Sequence, residues 1–453
     1  MAPRRRLAPW LASVLLVAVA ACGTDSTSPP DLASARAGGF QRDTLAALVR
    51  RLTTGRGITA LPPAPHVRPA LVRLGQALAF DKILSGNHDI SCMSCHLPQF
   101  ATGDGLSLSI GQGGVGLGPN RTGSFIARNA PAAFNLTAIK PLFLDGRVEQ
   151  DAAGNYHTPA GADLTPAMTR VFEFGSLSAQ PLFPILSRAE MRGDAGNELA
   201  AFPDADNTGI WNAIMARLGA IPEYRRMFEA AYPGTRFDDM NIAYASNAIA
   251  GFLAADFAFA NSPWDQFLRG SNGALSEQEL LGARDFMTAK CSVCHNGAAF
   301  TDNKFHNVAV AQIGPGEGDG AGGTDDFGRM RVTGLAADQY AFRTPALRNV
   351  ELTGPYGHDG AYVGLRMFVD HYSESDTKLR NFDPGGLSPL LQGTLQTNAE
   401  EILATRDTLL NGVVFDAKTV DEVTDFMKAL TDPAARDLSR TVPRSVPSGL
   451  PID

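Results

Sequence analysis

Two copies of a five-residue pattern constrain this chain more than any other feature. The pattern C-x-x-C-H occurs at Cys92–His96 and again at Cys291–His295. Two thiols three positions apart can add to the two vinyl groups of one haem, and the histidine that follows can bind the iron. The sequence therefore predicts two covalently attached c-type haems. Their thioether cysteines and iron ligands would be Cys92, Cys95, His96, Cys291, Cys294 and His295.

The beginning of the chain is typical of an exported lipoprotein. Three arginines precede an apolar run, Leu11–Ala21, which is too short to cross a bilayer as a helix but suits a signal peptide. Small residues lead directly into Cys22, so we expect residues 1–21 to be removed and Cys22 to be acylated. An ordinary signal peptide with a chance cysteine is the alternative. Residues 22–45 would tether the protein to the periplasmic side of a bacterial membrane. Gly23, the residue after the cysteine, favours the outer membrane.

The cysteine pairs allow two other interpretations. Two C-x-x-C pairs are also compatible with one four-cysteine zinc site, or with a disulfide within each pair. A histidine follows both pairs, and the chain carries an export signal, so haem attachment is preferred. The formal net charge of −8 argues against a nucleic-acid partner, which requires a basic face.

The surroundings of the two haem motifs look duplicated and helical. A Leu-Gly pair and a phenylalanine precede each motif, and apolar residues repeat at helical spacing. We predict helices over Asn241–Phe257 and Val420–Leu430, and a capping box of Ser276 with Glu279. The predicted fold is mainly α, with two cytochrome c-like helical domains and long loops. The predicted boundaries are 46–264 for the first domain, 265–440 for the second and 441–453 for a tail.

Several further stretches carry a resemblance to a known family. They are Leu84–Gly86, Arg128–Pro131, Asp145–Arg147, Glu190–Met191, Arg343–Asn349 and Pro355–Gly360. In number and order they resemble the bacterial dihaem cytochrome c peroxidase and MauG family over nearly all of the mature chain. The resemblance implies that the N-terminal haem reacts with hydrogen peroxide, and that the C-terminal haem takes in electrons and relays them.

The resemblance also implies which side chains surround the first haem. Gln180 and Glu190 match the family's distal-pocket glutamine and its acid/base glutamate, ten positions apart. Splitting an O–O bond requires a group that takes a proton from one peroxide oxygen and returns it to the departing one. Asn129, Thr353 and Pro355 match the family's calcium ligands, since calcium accepts oxygen ligands from side chains and carbonyls alike. Without the resemblance, these three residues would be ordinary loop residues.

Three positions depart from the peroxidases of this family. Gln112 stands sixteen positions after His96, where those enzymes have a histidine that closes the resting site. Leu144 replaces the tryptophan between the haems. Tyr372, the residue type that MauG uses, replaces a methionine ligand of the second haem. Nearby alternatives for that ligand are Met367 and His371.

Three functions remain open from the sequence. The first is a peroxidase that receives electrons from a small periplasmic donor, a cytochrome c or a cupredoxin. The second is a MauG-like oxidase that draws electrons from a protein or small organic molecule; Gln112 and Tyr372 favour it and Leu144 does not. The third is a non-catalytic electron carrier. The chain is also a candidate homodimer. Residues 145–179 are expected to hold an inserted hairpin or loop, and the acidic, glycine-rich stretch 314–328 is expected to be a solvated loop rather than a cation site.

Overall fold

A computed structural model describes residues 32–453 of the chain, with side chains from residue 41 onward. The predicted signal peptide and the acylated Cys22 lie outside the described residues. The chain divides into the units 1–43 and 44–453, and of the first only the beginning of one helix is described. That helix starts at Leu32, so the part of the predicted tether from residue 32 to 45 is helical. No helix of the described part is long and apolar enough to cross a membrane.

The described chain is mainly helical, as the sequence predicts, and its strands are short. The helices are α1 (Leu32–Gly55), α2 (Pro69–Phe80), α3 (Cys92–Cys95), α4 (Pro166–Thr169), α5 (Ser176–Ala179), α6 (Asn207–Gly219), α7 (Pro222–Ala231), α8 (Ile242–Asp256), α9 (Pro263–Leu268), α10 (Glu277–Thr288), α11 (Cys291–Cys294), α12 (Met330–Thr333), α13 (Leu365–His371), α14 (Ser375–Arg380), α15 (Pro389–Gln392), α16 (Ala399–Ala404) and α17 (Ala417–Lys428). The strands are β1 (Glu149–Gln150), β2 (Tyr156–His157), β3 (Phe305–His306) and β4 (Phe342–Arg343).

Both strand pairs are antiparallel. Strands β1 and β2 form the hairpin expected in the insertion, with Glu149 opposite His157. Strand β3 follows the second haem motif and pairs with β4, which ends in the Arg343–Asn349 stretch. Phe305 lies opposite Arg343. The strands are too short to form a sheet core, so helices carry the packing.

The same helix crossing occurs twice, once before each haem motif. A Cβ atom added to Gly75 in α2 would lie 1.8 Å from the carbonyl oxygen of Ala248 in α8. A Cβ atom added to Gly282 in α10 would lie 1.8 Å from the carbonyl oxygen of Glu422 in α17. Only glycine lets two helix backbones approach so closely. The duplication seen in the sequence is therefore a duplicated helix pair.

The predicted helices have the expected ends. Asn241 accepts a hydrogen bond from the amide of Ala243 at the start of α8. Ser276 and Glu279 form the predicted capping box of α10, in which the Glu279 amide donates to Ser276 Oγ at 3.2 Å and the Ser276 amide donates to Glu279 Oε2 at 2.6 Å. Helix α17 begins at Ala417, three residues before the predicted start.

The apolar side chains form two large clusters, one around each helix pair. The first contains α2 and α8, and the second contains α10 and α17. The last residues of the chain return to the first cluster. Val446 is buried there, Ser448 Oγ donates to Asp81 at 2.6 Å, and Lys82 pairs with Asp453 at 2.5 Å. The predicted domain boundaries at 264 and 440 stay a prediction.

Candidate active site

Each haem-motif histidine is held in the orientation that iron binding requires. The Nδ1–H of His96 donates to the carbonyl oxygen of Thr102, and the Nδ1–H of His295 donates to that of Phe300, both at 3.0 Å. A carbonyl oxygen can only accept, so Nε2 carries no proton and is free to bind a metal. Short helices α3 and α11 place the two thiols of each motif next to this nitrogen. Both donor sets therefore fit a covalently bound haem.

The four motif cysteines form no disulfide bonds, and the raised pKa of Cys92 and of Cys291 shows that these two are not activated nucleophiles. All four are free thiols in the structure. Burial raises the pKa of Cys92 to about 11 and that of Cys291 to about 12. A catalytic cysteine has a lowered pKa instead, because the thiolate is the nucleophile. This chemistry suits attachment of a haem better than cysteine catalysis.

The structure does not assemble the alternative zinc site. Within residues 32–453, the one group of three or more potential metal ligands is Cys294 with Asp302 and His306. It contains a single cysteine, so the two C-x-x-C pairs do not meet in one cluster. Attachment of a haem to Cys294 would also occupy its sulfur. His306 is instead held between carboxylates, at 3.1 Å from Asp302 and 2.5 Å from Asp407.

Glu190 lies in a single π-helical turn, Arg188–Arg192, called here the Glu190 turn. The amides of Arg192 and Gly193 each donate to a carbonyl oxygen five residues earlier, at 2.9 and 3.0 Å. Ser187 Oγ accepts from the amide of Glu190 at 3.2 Å and caps the turn. Turns of this kind are uncommon and occur frequently at functional sites. The sequence analysis found Glu190 but not this conformation.

The Glu190 turn lies beside the first haem motif. Burial is the main reason for the raised pKa of Cys92 and of Cys95, and the Glu190 carboxylate raises both further. A carboxylate acts on a buried thiol in this way only when the two groups are close. The structure thus brings Glu190 to the first haem motif, and its acid/base role stays a prediction.

Charged residues from three parts of the chain surround Glu190. Burial raises the pKa of its carboxyl group, Arg147 and Arg128 lower it, and Glu317 raises it. Arg147 also stacks on the ring of Phe143, with its guanidinium carbon 3.7 Å from the ring centroid. Burial dominates, so the Glu190 carboxyl group holds its proton to a higher pH than an exposed glutamate does.

Two loops pack against the Glu190 turn, one on each side. A Cβ atom added to Gly86 would lie 1.8 Å from the carbonyl oxygen of Arg192, and the Gly86 amide donates to Met191 at 2.8 Å. A Cβ atom added to Gly111 would lie 1.8 Å from the carbonyl oxygen of Ala189. Both positions require glycine because a backbone carbonyl fills the space of a side chain. The contact with the Glu190 turn thus explains why the Leu84–Gly86 stretch ends in a glycine.

The second haem motif opens into a cavity that contains Tyr372. Cys291, Cys294, His295 and Tyr372 all line this cavity. Burial raises the pKa of the Tyr372 hydroxyl, with smaller contributions from the two cysteines. A nearby ferric iron would oppose this shift, because a phenolate is a hard anionic ligand for it. The geometry supports Tyr372 as a candidate sixth ligand of the second haem.

The alternative ligands are less suitable. His371 Nε2–H donates to the carbonyl oxygen of Val308, and its Nδ1 accepts from the hydroxyl of Tyr362, both at 2.8 Å. Burial lowers the pKa of His371 to about 4, so the ring stays neutral with both nitrogens already used. Met367 is 39% exposed on α13. Neither residue lines the cavity of the second haem motif, whereas Tyr372 does.

We expect Tyr372→Phe to change only the second haem. Loss of a phenolate ligand should raise the reduction potential of that haem and convert part of its ferric low-spin signal to high spin. Electron paramagnetic resonance and a redox titration measure both effects. His371→Gln is the matched control. A change of reduction potential in His371→Gln but not in Tyr372→Phe would show that His371, and not Tyr372, is the ligand.

Comparison with known proteins agrees with this site. The model of the family described as "Di-haem cytochrome c peroxidase" matches residues 69–273. The methylamine utilization protein MauG of Methylorubrum extorquens is 28% identical over 347 residues, 76% of this chain and 80% of that protein. The cytochrome c551 peroxidase of Pseudomonas aeruginosa is 29% identical over 305 residues, 65% of this chain and 69% of that protein. Residues 69–273 match that family, and the chain as a whole is similar to MauG and to cytochrome c peroxidases. It is therefore an oxidoreductase with two c-type haems.

A solved structure supports the same assignment. A MauG-like protein associated with microbial copper homeostasis has a TM-score of 0.59 and 25% identity, and the match covers 85% of this chain and 97% of that one. The diheme peroxidase BthA from Burkholderia thailandensis, at 19% identity and a TM-score of 0.57, shares the fold.

The three residues predicted to hold calcium line the same cavity. Asn129, Thr353 and Pro355 all line the cavity of the second haem. The Asn129 side-chain nitrogen donates to the carbonyl oxygens of Leu106 and Ser107, at 2.8 and 2.9 Å. This arrangement leaves Asn129 Oδ1 available, and an amide oxygen is a ligand that calcium accepts. The residues present fit a calcium ion, whose binding stays a prediction.

The positions that depart from the family's peroxidases have distinct surroundings. Gln112 is packed against Gly193, and its side-chain nitrogen lies 3.5 Å from Asp89 Oδ2. Leu144 lines the second haem cavity, and its carbonyl oxygen accepts from the amide of Arg343 at 2.8 Å. Gln180 begins a short helical turn before the Glu190 turn, and its role stays a prediction.

The acidic stretch 314–328 is not the solvated loop that the sequence analysis expected. Arg128 binds Asp326 in this stretch through two contacts of 2.6 and 2.8 Å, and it also binds Asp145 at 2.6 Å. Glu317 lies 3.6 Å from the same arginine. The prediction was wrong because Asp326 and Glu317 pair with Arg128, which belongs to the distant Arg128–Pro131 stretch. The composition of the acidic stretch alone does not reveal this contact.

Proposed function

We propose that this protein is a dihaem peroxidase that reduces hydrogen peroxide to water at the haem of His96. Electrons would be relayed from the haem of His295. The observation that carries the proposal is the partly buried Glu190 carboxyl group beside the first haem motif, held in a π-helical turn between two glycine contacts. A pure electron carrier has no use for such a group.

The bound haems would supply the electrons and the metal site at which peroxide reacts. Glu190 would accept a proton from the peroxide oxygen nearer the metal and donate it to the departing oxygen. Its raised pKa suits this double role, because the carboxylate takes up a proton more readily than that of an exposed glutamate does. Arg147 and Arg128 offset part of the cost of the charged form, and Gln180 would orient the peroxide.

The remaining assignments extend this proposal. A small periplasmic protein, a cytochrome c or a cupredoxin, would deliver electrons to the haem of His295. Asn129, Thr353 and Pro355 would hold calcium. Acylation of Cys22 would anchor the protein on the periplasmic side of the membrane. Each of these assignments follows from the family resemblance and from the motifs of the sequence.

Turnover of the haem-loaded enzyme tests the proposal. Reduced cytochrome c or reduced cupredoxin should be oxidised in a peroxide-dependent reaction, with two donor molecules consumed for each peroxide. Peroxide-dependent oxidation of a protein or small organic substrate without use of either donor would favour the MauG-like function. Tyr372 in the second haem cavity is the observation that keeps that second function open.

We expect Gln112→His to close the first haem site. An imidazole is a far better ligand of ferric iron than an amide, so the first haem should change from high spin to low spin. Peroxide should then react only after reduction of the other haem, whereas the wild type should react when both haems are oxidised. Absorption spectra and stopped-flow mixing with peroxide measure both effects, and Gln112→Asn is the control. An oxidised wild type that is inert to peroxide would mean that another side chain closes the site.

A further inference from the structure

The two loops that press on the Glu190 turn are each built around one arginine. The Arg121 guanidinium donates to three carbonyl oxygens of its loop, those of Ile110, Gly116 and Gly111, at 2.8, 3.0 and 2.9 Å. The side chain is buried, at 4% exposure. Three hydrogen bonds from one rigid, charged group hold these carbonyls at fixed relative positions.

Arg217 from α6 does the same for the loop on the other side. It donates to the carbonyl oxygens of Ser85 at 2.7 Å, Ile83 at 3.1 Å and Gly86 at 3.4 Å. Its Nε also donates to Glu198 at 2.5 Å. An arginine with three backbone acceptors thus stands behind each of the two loops.

The two arginines bind the same glycines that contact the Glu190 turn. Arg121 binds the carbonyl of Gly111, whose Cα abuts the carbonyl of Ala189. Arg217 binds the carbonyl of Gly86, whose Cα abuts the carbonyl of Arg192. The next amide after Gly111 also donates to Ala189, at 3.2 Å. Each arginine therefore fixes the position of one glycine, and that glycine contacts the Glu190 turn.

We propose that Arg121 and Arg217 are positioning residues that clamp the Glu190 turn from two sides and fix the carboxyl group against the first haem. The inference rests on the proposed function, in which Glu190 moves the peroxide proton. Proton transfer requires heavy atoms within hydrogen-bonding reach, and a misplacement of about 1 Å can lower a rate by about 100-fold. A two-sided clamp keeps the turn within that tolerance.

The variants Arg121→Lys and Arg217→Lys test the clamp. Lysine keeps the charge, but its compact ammonium group cannot span three carbonyl oxygens. We expect peroxide turnover to fall by about 10- to 100-fold in each variant, with both haems still attached. Arg225→Lys is the matched control, because Arg225 is partly exposed and its contacts are with Asp238, at 2.7 Å, and with the ring of Phe237. The control should keep wild-type turnover.

Two further measurements separate positioning from general destabilisation. Hydrogen exchange at the amides of Arg192, Gly193 and Gln112 should become faster in both clamp variants and not in the control. The acidic limb of the pH–turnover profile should move to lower pH, because a loosened turn admits water and removes part of the burial that raises the pKa of Glu190. The other groups that act on this carboxyl group are unchanged in the variants; they are Arg147, Arg128, Glu317 and Ser187.

Each outcome bears on one of the two proposals. Unchanged exchange in the Glu190 turn overturns the clamp, whatever happens to turnover. Faster exchange with unchanged turnover and an unmoved pH limb overturns the positioning role. A wild type without peroxide turnover overturns the proposed function, while the exchange experiment still tests the clamp. If Arg121→Lys does not accumulate as a folded protein, Arg217→Lys gives the same test from the other side.

Discussion

Peroxide turnover is expected to fall by about 10²–10⁴-fold in Glu190→Gln, with both haems retained. Glutamine has the size of glutamate and can accept the same backbone contacts, but it cannot take up a proton and release it again. The Ser187 cap binds the backbone amide of residue 190, so the turn should persist in the variant. The loss should therefore appear in the rate of the peroxide reaction and not in haem content. Stopped-flow mixing of peroxide with the haem-loaded enzyme measures it directly.

The pH dependence gives the same experiment a second readout. Burial raises the pKa of Glu190, so the wild-type rate should rise with pH through a limb above the ordinary glutamate range and level off once the group is ionised. This limb should be absent in Glu190→Gln. Glu223→Gln is the control, because Glu223 is exposed in the first turn of α7. Turnover close to wild type in Glu190→Gln would assign the proton transfers to another group.

Loss of one cysteine pair is expected to remove one haem and leave the other. The double variant of Cys92→Ala with Cys95→Ala should carry one c-type haem per chain instead of two, as should Cys291→Ala with Cys294→Ala. The two donor sets belong to separate helix pairs, so attachment at one motif should not depend on the other. A pyridine haemochrome assay with protein and iron determination measures the ratio.

The two cysteine variants should also differ in what they lose. The first should no longer react with peroxide, because the haem that Glu190 is proposed to serve is absent. The second should keep the pocket of Glu190 but receive no electrons from a donor protein. Met93→Leu and Val293→Ala change the residues between the cysteines, keep all the thiols and should retain two haems. Zinc in place of iron in the wild type would contradict the haem assignment outright.

The sequence by itself determined the cofactor and the kind of fold. Haem attachment depends on residues within five positions of one another, so the C-x-x-C-H pattern reports it without any knowledge of tertiary structure. Helical periodicity is equally local, and it identified α8, α10 and α17. The capping box at Ser276 belongs to the same class of signal.

Only the tertiary structure decided how the site around Glu190 is held. Its supports come from Gly86, Gly111, Arg121 and Arg217, which are distant in sequence and act through backbone carbonyls that any residue possesses. A buried arginine and a solvent-exposed one look alike in a sequence, because burial depends on which chain segments meet. For the same reason the acidic stretch 314–328 was expected to be solvated, although Arg128 binds it across nearly two hundred residues. Haem-attachment motifs and helical patterns are local, so they can be recognised from the sequence alone. The position of a proton-transferring carboxyl group is set by contacts between residues that are distant in the sequence.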